Sequence, residues 1–112
     1  MNIMGLTKTE TYSETEVLLA QYAKALGHPA RIAILKVLLE KQSCICGDIV
    51  VELPLSQSTV SQHLKELKSA GIITGEIDGP KTCYCIDANA WSNIKVMFNG
   101  LLDEYDPQEN CC

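Results

Sequence analysis

Residues 55–77, LSQSTVSQHLKELKSAGIITGEI, constrain the fold more than any other stretch of the chain. Ser56 supplies a side-chain oxygen for the free amides of a helix start, and Leu55 and Val60 stand in staple positions. Val60, Leu64 and Leu67 form one apolar stripe, and Gly71 provides the stop. The outward face is polar, with Gln57, Ser58, Ser61, Gln62, Lys65 and Lys68. Directly afterwards, residues 72–77 and 82–86 are β-type runs joined by Asp78-Gly79-Pro80-Lys81, a turn sequence that predicts a two-stranded hairpin. A helix with a single apolar stripe must bury it against other elements, and the upstream sequence provides them.

Ser13-Glu14-Thr15-Glu16 is a capping-box pattern, and Val17, Leu18, Tyr22, Ala25 and Leu26 follow at helical spacing up to Gly27. Pro29 suits the first turn of a second helix carrying Ile32, Ile34, Leu35, Leu38 and Leu39, apolar on most sides and therefore central. Residues 43–52 are predicted as a short third helix that turns Ile49 and Val50 inward with Leu53 and ends before Pro54. Residues 88–105 carry Trp91, Ile94, Met97, Phe98, Leu101, Leu102 and Tyr105 on a last helical stripe. The expected fold is mainly α with a small β-hairpin wing, a winged helix-turn-helix in the order helix, helix, helix, helix, strand, strand, helix. A flexible segment over 1–12, a folded domain over 13–105 and a flexible cysteine-bearing tail over 106–112 complete the expected organisation.

A chain of 112 residues, 46% hydrophobic and 21% charged, suits one folded domain. Its longest apolar run, residues 32–39, contains Lys36 and is too short to span a bilayer. The start, MNIMGLTKTETYSE, lacks the basic, apolar and small-residue parts of a secretory signal, which predicts a cytoplasmic protein. Net charge is −5, and residues 87–112, with one Lys and five acids, supply −4 of it. The remainder is nearly balanced and leaves room for a local basic face. The sequence shows no Gly-rich phosphate loop and no nucleophile beside a base, so an enzyme is not expected.

Thr59, Ser61, Gln62 and His63 are groups that hydrogen-bond base edges or phosphates when a helix enters the major groove, and Lys65, Lys68 and Lys81 suit phosphates. A polar helix face is commonly only solvated. Here it follows a tight Pro54-Leu55-Ser56 turn and precedes a hairpin with a lysine at its tip, a combination that points to nucleic acid. His63 has no second imidazole or thiol within reach along its helix, so a metal ligand is not expected there.

The six cysteines fall in three close pairs, Cys44/Cys46, Cys83/Cys85 and Cys111/Cys112. In a reducing compartment such pairs suggest soft-ion binding or redox chemistry. Cys83 and Cys85 flank Tyr84 on a β-run, so their thiols share a face; as small apolar fillers they would need no other role. On a helix, by contrast, positions i and i+2 point about 200° apart, so Cys44 and Cys46 reach one ion only if that helix frays.

Taken together, "ALGHPARIAIL", "LSQSTVSQHLKELKSAGI" and "GPKTCYCID" resemble the ArsR–SmtB family of metal-responsive winged-helix repressors, over about residues 22–91. The resemblance implies a homodimer on double-stranded operator DNA, with Gln57, Ser58, Thr59, Ser61, Gln62 and His63 as recognition residues and Lys81 as a wing contact. It implies half-sites about one turn, ~34 Å, apart. Val17, Leu18, Trp91, Ile94, Met97, Phe98, Leu101 and Leu102 would serve the dimer interface. Arsenic and antimony sensors of the family carry Cys-x-Cys where Cys44-Ile45-Cys46 stands, which implies arsenite or antimonite as inducer and no cofactor for DNA binding. This chain has one residue more between Cys46 and Ser61 than the family pattern. The third sulfur is open between the tail, Cys111/Cys112, and the wing, Cys83/Cys85, with the tail favoured. The last-helix zinc site of other members is not expected, since residues 88–105 hold no histidine and Asp103 and Glu104 read as solvated charges. Two alternatives stand beside this reading: a redox or persulfide sensor in which Cys44 or Cys46 pairs with a distant cysteine, and a thiol-rich module that does not bind DNA.

Overall fold

The computed structural model describes residues 11–42, 44–46, 53–76 and 83–107. Its elements are α1 (Glu14–Leu26), α2 (Pro29–Lys41), β1 (Ile45–Cys46), α3 (Gln57–Ser69), β2 (Ile73–Glu76), β3 (Cys83–Ile86) and α4 (Ala88–Leu102). Four helices and an antiparallel β2–β3 wing give the mainly helical winged arrangement that the sequence predicts.

The helix starts follow from local chemistry. Ser13 Oγ accepts the Glu16 amide and Glu16 Oε1 accepts the Ser13 amide, both at 3.0 Å, so the capping box of α1 closes. Pro29 opens α2, and His28 caps it by accepting the Ala30 amide on Nδ1 at 3.0 Å. Asp87 caps α4 by accepting the Ala90 amide at 2.9 Å. Caps of this kind contribute about 1 kcal/mol each. At its far end α3 closes through Gly71, whose φ of 82° lets its amide reach Lys68 O and the Ile72 amide reach Leu67 O.

One expected element differs. Where a third helix was expected over 43–52, Ile45 and Cys46 form a strand, antiparallel to β3, in a sheet ordered β1-β3-β2. Residues 43 and 47–52, with Ile49 and Val50, lie outside the described residues. The alternation Cys-Ile-Cys is the physical reason. A period of two sends Ile45 into the core and both cysteines outward, which a helix cannot do. Gly47 and a β-branched residue between the thiols weaken the helical alternative further.

The core gathers Tyr22 and Ala25 of α1, Ile34, Leu35 and Leu38 of α2, and Val60, Leu64 and Leu67 of α3, closed by Ile72, Ile73, Tyr84, Ile45 and Ile94. The inner face of the sheet and the inner stripe of α3 therefore share one packed interior. Among the described residues no helix is long and apolar enough to cross a membrane.

Two glycines are required for different reasons. At Gly71 a Cβ would meet open space, so only its positive φ opposes substitution. At Gly75, with φ 125°, a Cβ would collide with the Cys83 carbonyl oxygen and stand 2.8 Å from Tyr84 Cα. Thermal or denaturant unfolding should show Gly71→Ala costing about 1 kcal/mol and Gly75→Ala about 3 or more.

Candidate functional site: a four-cysteine sheet face

The register of β1 on β3 sets Ile45 opposite Tyr84 and Cys46 opposite Cys83, and one step back it sets Cys44 opposite Cys85. Ile45 and Tyr84, 8% and 1% exposed, point inward. The four cysteines consequently occupy the outer face of the two strands. Disulfides join Cys44 to Cys85 and Cys46 to Cys83, with Cα separations of 4.2 and 4.0 Å. On β2, Thr74 pairs with Cys85 and Glu76 with Cys83, so both flank the sulfur face. A cavity of about 530 Å³, lined by Leu38, Leu39, Ile86 and Trp91 among others, opens beside Cys44 and Cys85.

This geometry changes the sequence expectation for the thiols. Cys44 and Cys46 share a face with no need for fraying, and the wing brings two further sulfurs against them. With all four sulfurs in S–S bonds, no group of three or more His, Cys, Asp or Glu among the described residues is left to hold a metal ion. Reduction frees four thiols on one face, the soft donor set that thiophilic ions take. Cys111 and Cys112, the favoured source of a third sulfur, lie outside the described residues, as does Lys81, the expected wing contact. Sequence reasoning left the wing and the tail open as partners and favoured the tail, because spacing along a chain carries no information about strand register.

Helix α3 carries a polar outward face. Gln57, Ser58, Gln62, Lys65 and Lys68 are exposed, and Thr59, Ser61 and His63 are half-buried. At its start Ser56 Oγ accepts the Thr59 amide at 3.3 Å and donates to Thr59 Oγ1 at 2.8 Å, while the Ser58 hydroxyl lies 3.3 Å from Ser56 Oγ. Thr59 and Ser58 are thus held in the cap of α3 as well as standing at its edge.

Two residues unremarked in the sequence surround His63. Arg31 donates from Nε to His63 Nδ1 at 3.2 Å, and from Nη1 to the carbonyl oxygens of Lys24 at 3.2 Å and Ala25 at 3.1 Å. The His28 ring packs against the His63 ring, centroids 4.4 Å apart and tilted by 43°. The absence of a second imidazole near His63, inferred along its own helix, does not hold in three dimensions. Burial first, then His28 and Arg31, push the His63 imidazole below its ordinary pKa, and Glu66 opposes them.

The apolar stripes expected at a dimer interface divide into two sets. Ile94 is 6% exposed and belongs to the interior of the chain's own core, while Leu18, Trp91, Met97 and Phe98 are half-buried against the same core and Val17 is half-buried. Leu101 and Leu102 are exposed as expected, and Val96, 70% exposed, joins them on α4.

The model of the arsR family of bacterial regulatory proteins matches residues 28–74. The HTH-type transcriptional regulator MJ1325 of Methanocaldococcus jannaschii is 44% identical over 80 residues, 70% of this chain and 89% of that protein. Transcriptional repressors of Mycobacterium tuberculosis match at 48% identity over 61 residues, and the chain spans only 44% of their length. Among solved structures, HlyU from Vibrio cholerae superposes with a TM-score of 0.62 at 25% identity, over 84% of this chain and 98% of that one. The cadmium metal-sensor CmtR from Mycobacterium tuberculosis superposes with a TM-score of 0.51 at 28% identity, over 84% of this chain and 95% of that one.

The lowered pKa of His63 has a consequence for stability. Above about pH 6.5 the imidazole is neutral in the folded and the unfolded chain, and the contribution is fully present. As pH falls below that value the unfolded chain takes the proton first, and stability is lost until the folded chain is protonated too. Melting temperature measured from pH 8 downward should decline through this window, and His63→Gln should flatten that part of the profile. An unchanged profile in the variant would contradict the assignment.

Proposed function

Because the chain belongs to the ArsR family of bacterial regulatory proteins, whose members are transcriptional regulators and not enzymes, we propose that it represses transcription as a homodimer on operator DNA and that its four-cysteine face controls release. The α3 face, Gln57 to His63, reads the major groove. The Lys65 and Lys68 side chains, with Lys81 on the wing, meet phosphates. The exposed apolar residues Val96, Leu101 and Leu102 of α4 seat the second copy, which spaces the two reading helices for half-sites about one turn apart.

The observation that carries control is the β1–β3 register, which sets Cys44 and Cys46 against Cys85 and Cys83. In the reduced protein these thiols capture a soft ion. Arsenite or antimonite takes three sulfurs, two from Cys44 and Cys46 and the third from the wing. A solved neighbour is a cadmium sensor, which supports a soft ion as inducer in this fold. The inner side of the same strands packs on the core shared with α3, so pulling sulfurs together on the outer side shifts Ile45 and Tyr84 and displaces the reading helix. Coupling typical of allostery, about 1–3 kcal/mol, corresponds to roughly 5- to 150-fold weaker operator binding.

The disulfides favour a second route to the same response. Two thiols facing each other across paired strands lose two electrons and two protons to a peroxide, forming one S–S bond while the peroxide becomes water. In that case oxidation, with no metal, releases DNA.

Fluorescence anisotropy on operator DNA separates the routes. With reductant present, arsenite should weaken binding within the 5- to 150-fold range, and Cys44→Ser or Cys46→Ser should keep binding and lose the response. If Cys83→Ser and Cys85→Ser both respond normally, the third sulfur is not on the wing. Without reductant, peroxide alone should release DNA if oxidation is the signal. An absence of salt-dependent DNA binding by the wild type would overturn the regulator reading itself, because phosphate contacts impose a steep salt slope.

A further inference from the structure

We infer that Arg31 is a positioning residue that fixes the tautomer of His63, so that His63 offers its Nε2–H as a hydrogen-bond donor to an acceptor atom on DNA. The inference deepens the DNA-binding reading above and rests on it for its second half only.

A guanidinium has five N–H donors and no acceptor, and it does not deprotonate in proteins. The nitrogen that receives Arg31 Nε, His63 Nδ1 at 3.2 Å, must therefore offer a lone pair. In a neutral imidazole the proton then sits on Nε2. Arg31 is itself held from the other side. Its Nη1 donates to the carbonyl oxygens of Lys24 and Ala25, which lie in the last turn of α1, where the Lys24 oxygen also accepts the Gly27 amide at 3.2 Å. The guanidinium thus spans the end of α1 and the middle of α3, with one nitrogen fixed to each.

The His28 ring completes the setting. Its Nδ1 is occupied by the Ala30 amide at 3.0 Å, which orients it against the face of His63. The charged and titratable groups around His63 are His28 and Arg31 at the start of α2 and Glu66 on its own helix. A proton on His63 Nδ1 would break the Arg31 bond and set two cations together, with only Glu66 in favour. The neutral donor form is the one this arrangement selects.

A half-buried imidazole on a reading helix, with one nitrogen committed inward, presents a single outward group of known polarity. An N–H donor matches guanine O6 or N7, adenine N7, thymine O4 or a phosphate oxygen, and it rejects the amino groups of cytosine and adenine.

The tautomer is read on the free protein by nitrogen-15 NMR of the histidine side chains at pH 8. The expected signature is an unprotonated Nδ1 and a protonated Nε2 for His63, lost to a mixture in Arg31→Met. The opposite tautomer in the wild type, or an unchanged signature in the variant, overturns the inference whatever the protein does with DNA. On operator DNA, Arg31→Met should bind about five- to tenfold more weakly. Substitution His63→Gln, whose amide N–H₂ lies near the Nε2 position, should stay within about threefold of wild type, and His63→Asn, which is too short, should fall with Arg31→Met. A loss confined to operator sequence identifies a base edge, and an equal loss on scrambled DNA identifies a phosphate. Equal binding by all three variants refutes the donor role, while failure of the wild type to bind any DNA, with the tautomer as expected, refutes the regulator reading alone.

Discussion

The pairing of β1 with β3 is the constraint from which the rest of the site follows. Two residues of strand, Ile45 and Cys46, are enough to bury Ile45 on Tyr84 and to set two cysteines outward against two more. A slip of one residue would reverse every side chain, exposing Ile45 and driving thiols into the core. Burial of the apolar face specifies the register, and the register assembles the sulfur face. The packing of the core and the placement of the four cysteines therefore draw on the same hydrogen-bonded ladder.

That ladder borders the machinery it would control. Tyr84 and Ile45 pack in one interior with Leu64 and Leu67 of α3, and well-packed interiors transmit displacement because they have little empty volume to absorb it. On the other side of α3, Arg31 ties His63 to the end of α1. Helix α3 is consequently held between two anchors, a sheet that carries the four cysteines on its outer face and the Arg31 guanidinium.

Most of the scaffold was legible in the sequence because its signals are local. Ser13 with Glu16, Pro29 and Ser56 each mark a helix start lying within a few residues of the signal itself, and the structure places helices where they predict. The helix expected over 43–52 gives way at Ile45 and Cys46 for an instructive reason. Helical and extended readings of a short run are decided by its partner, and the partner of Cys44-Ile45-Cys46 lies about forty residues away in β3. The same limitation hid Arg31 and His28 from the account of His63, since three residues that meet at hydrogen-bond and ring-contact distances come from α2, its cap and α3. It also assigned Ile94 to an interface when the residue fills its own core. The chemistry of individual residues was readable, and their long-range company was not.

Cys44 and Cys46 face Cys85 and Cys83 across paired strands, and peptide mapping reads that pairing in solution. The reduced full-length protein is oxidised under non-denaturing conditions, alkylated and digested, and its crosslinked peptides are identified by mass spectrometry. Linkages of Cys44 to Cys85 and Cys46 to Cys83 are expected, as in the structure. Linkage of Cys44 to Cys46, or of either to Cys111 or Cys112, in place of the cross-strand pairs would contradict the account.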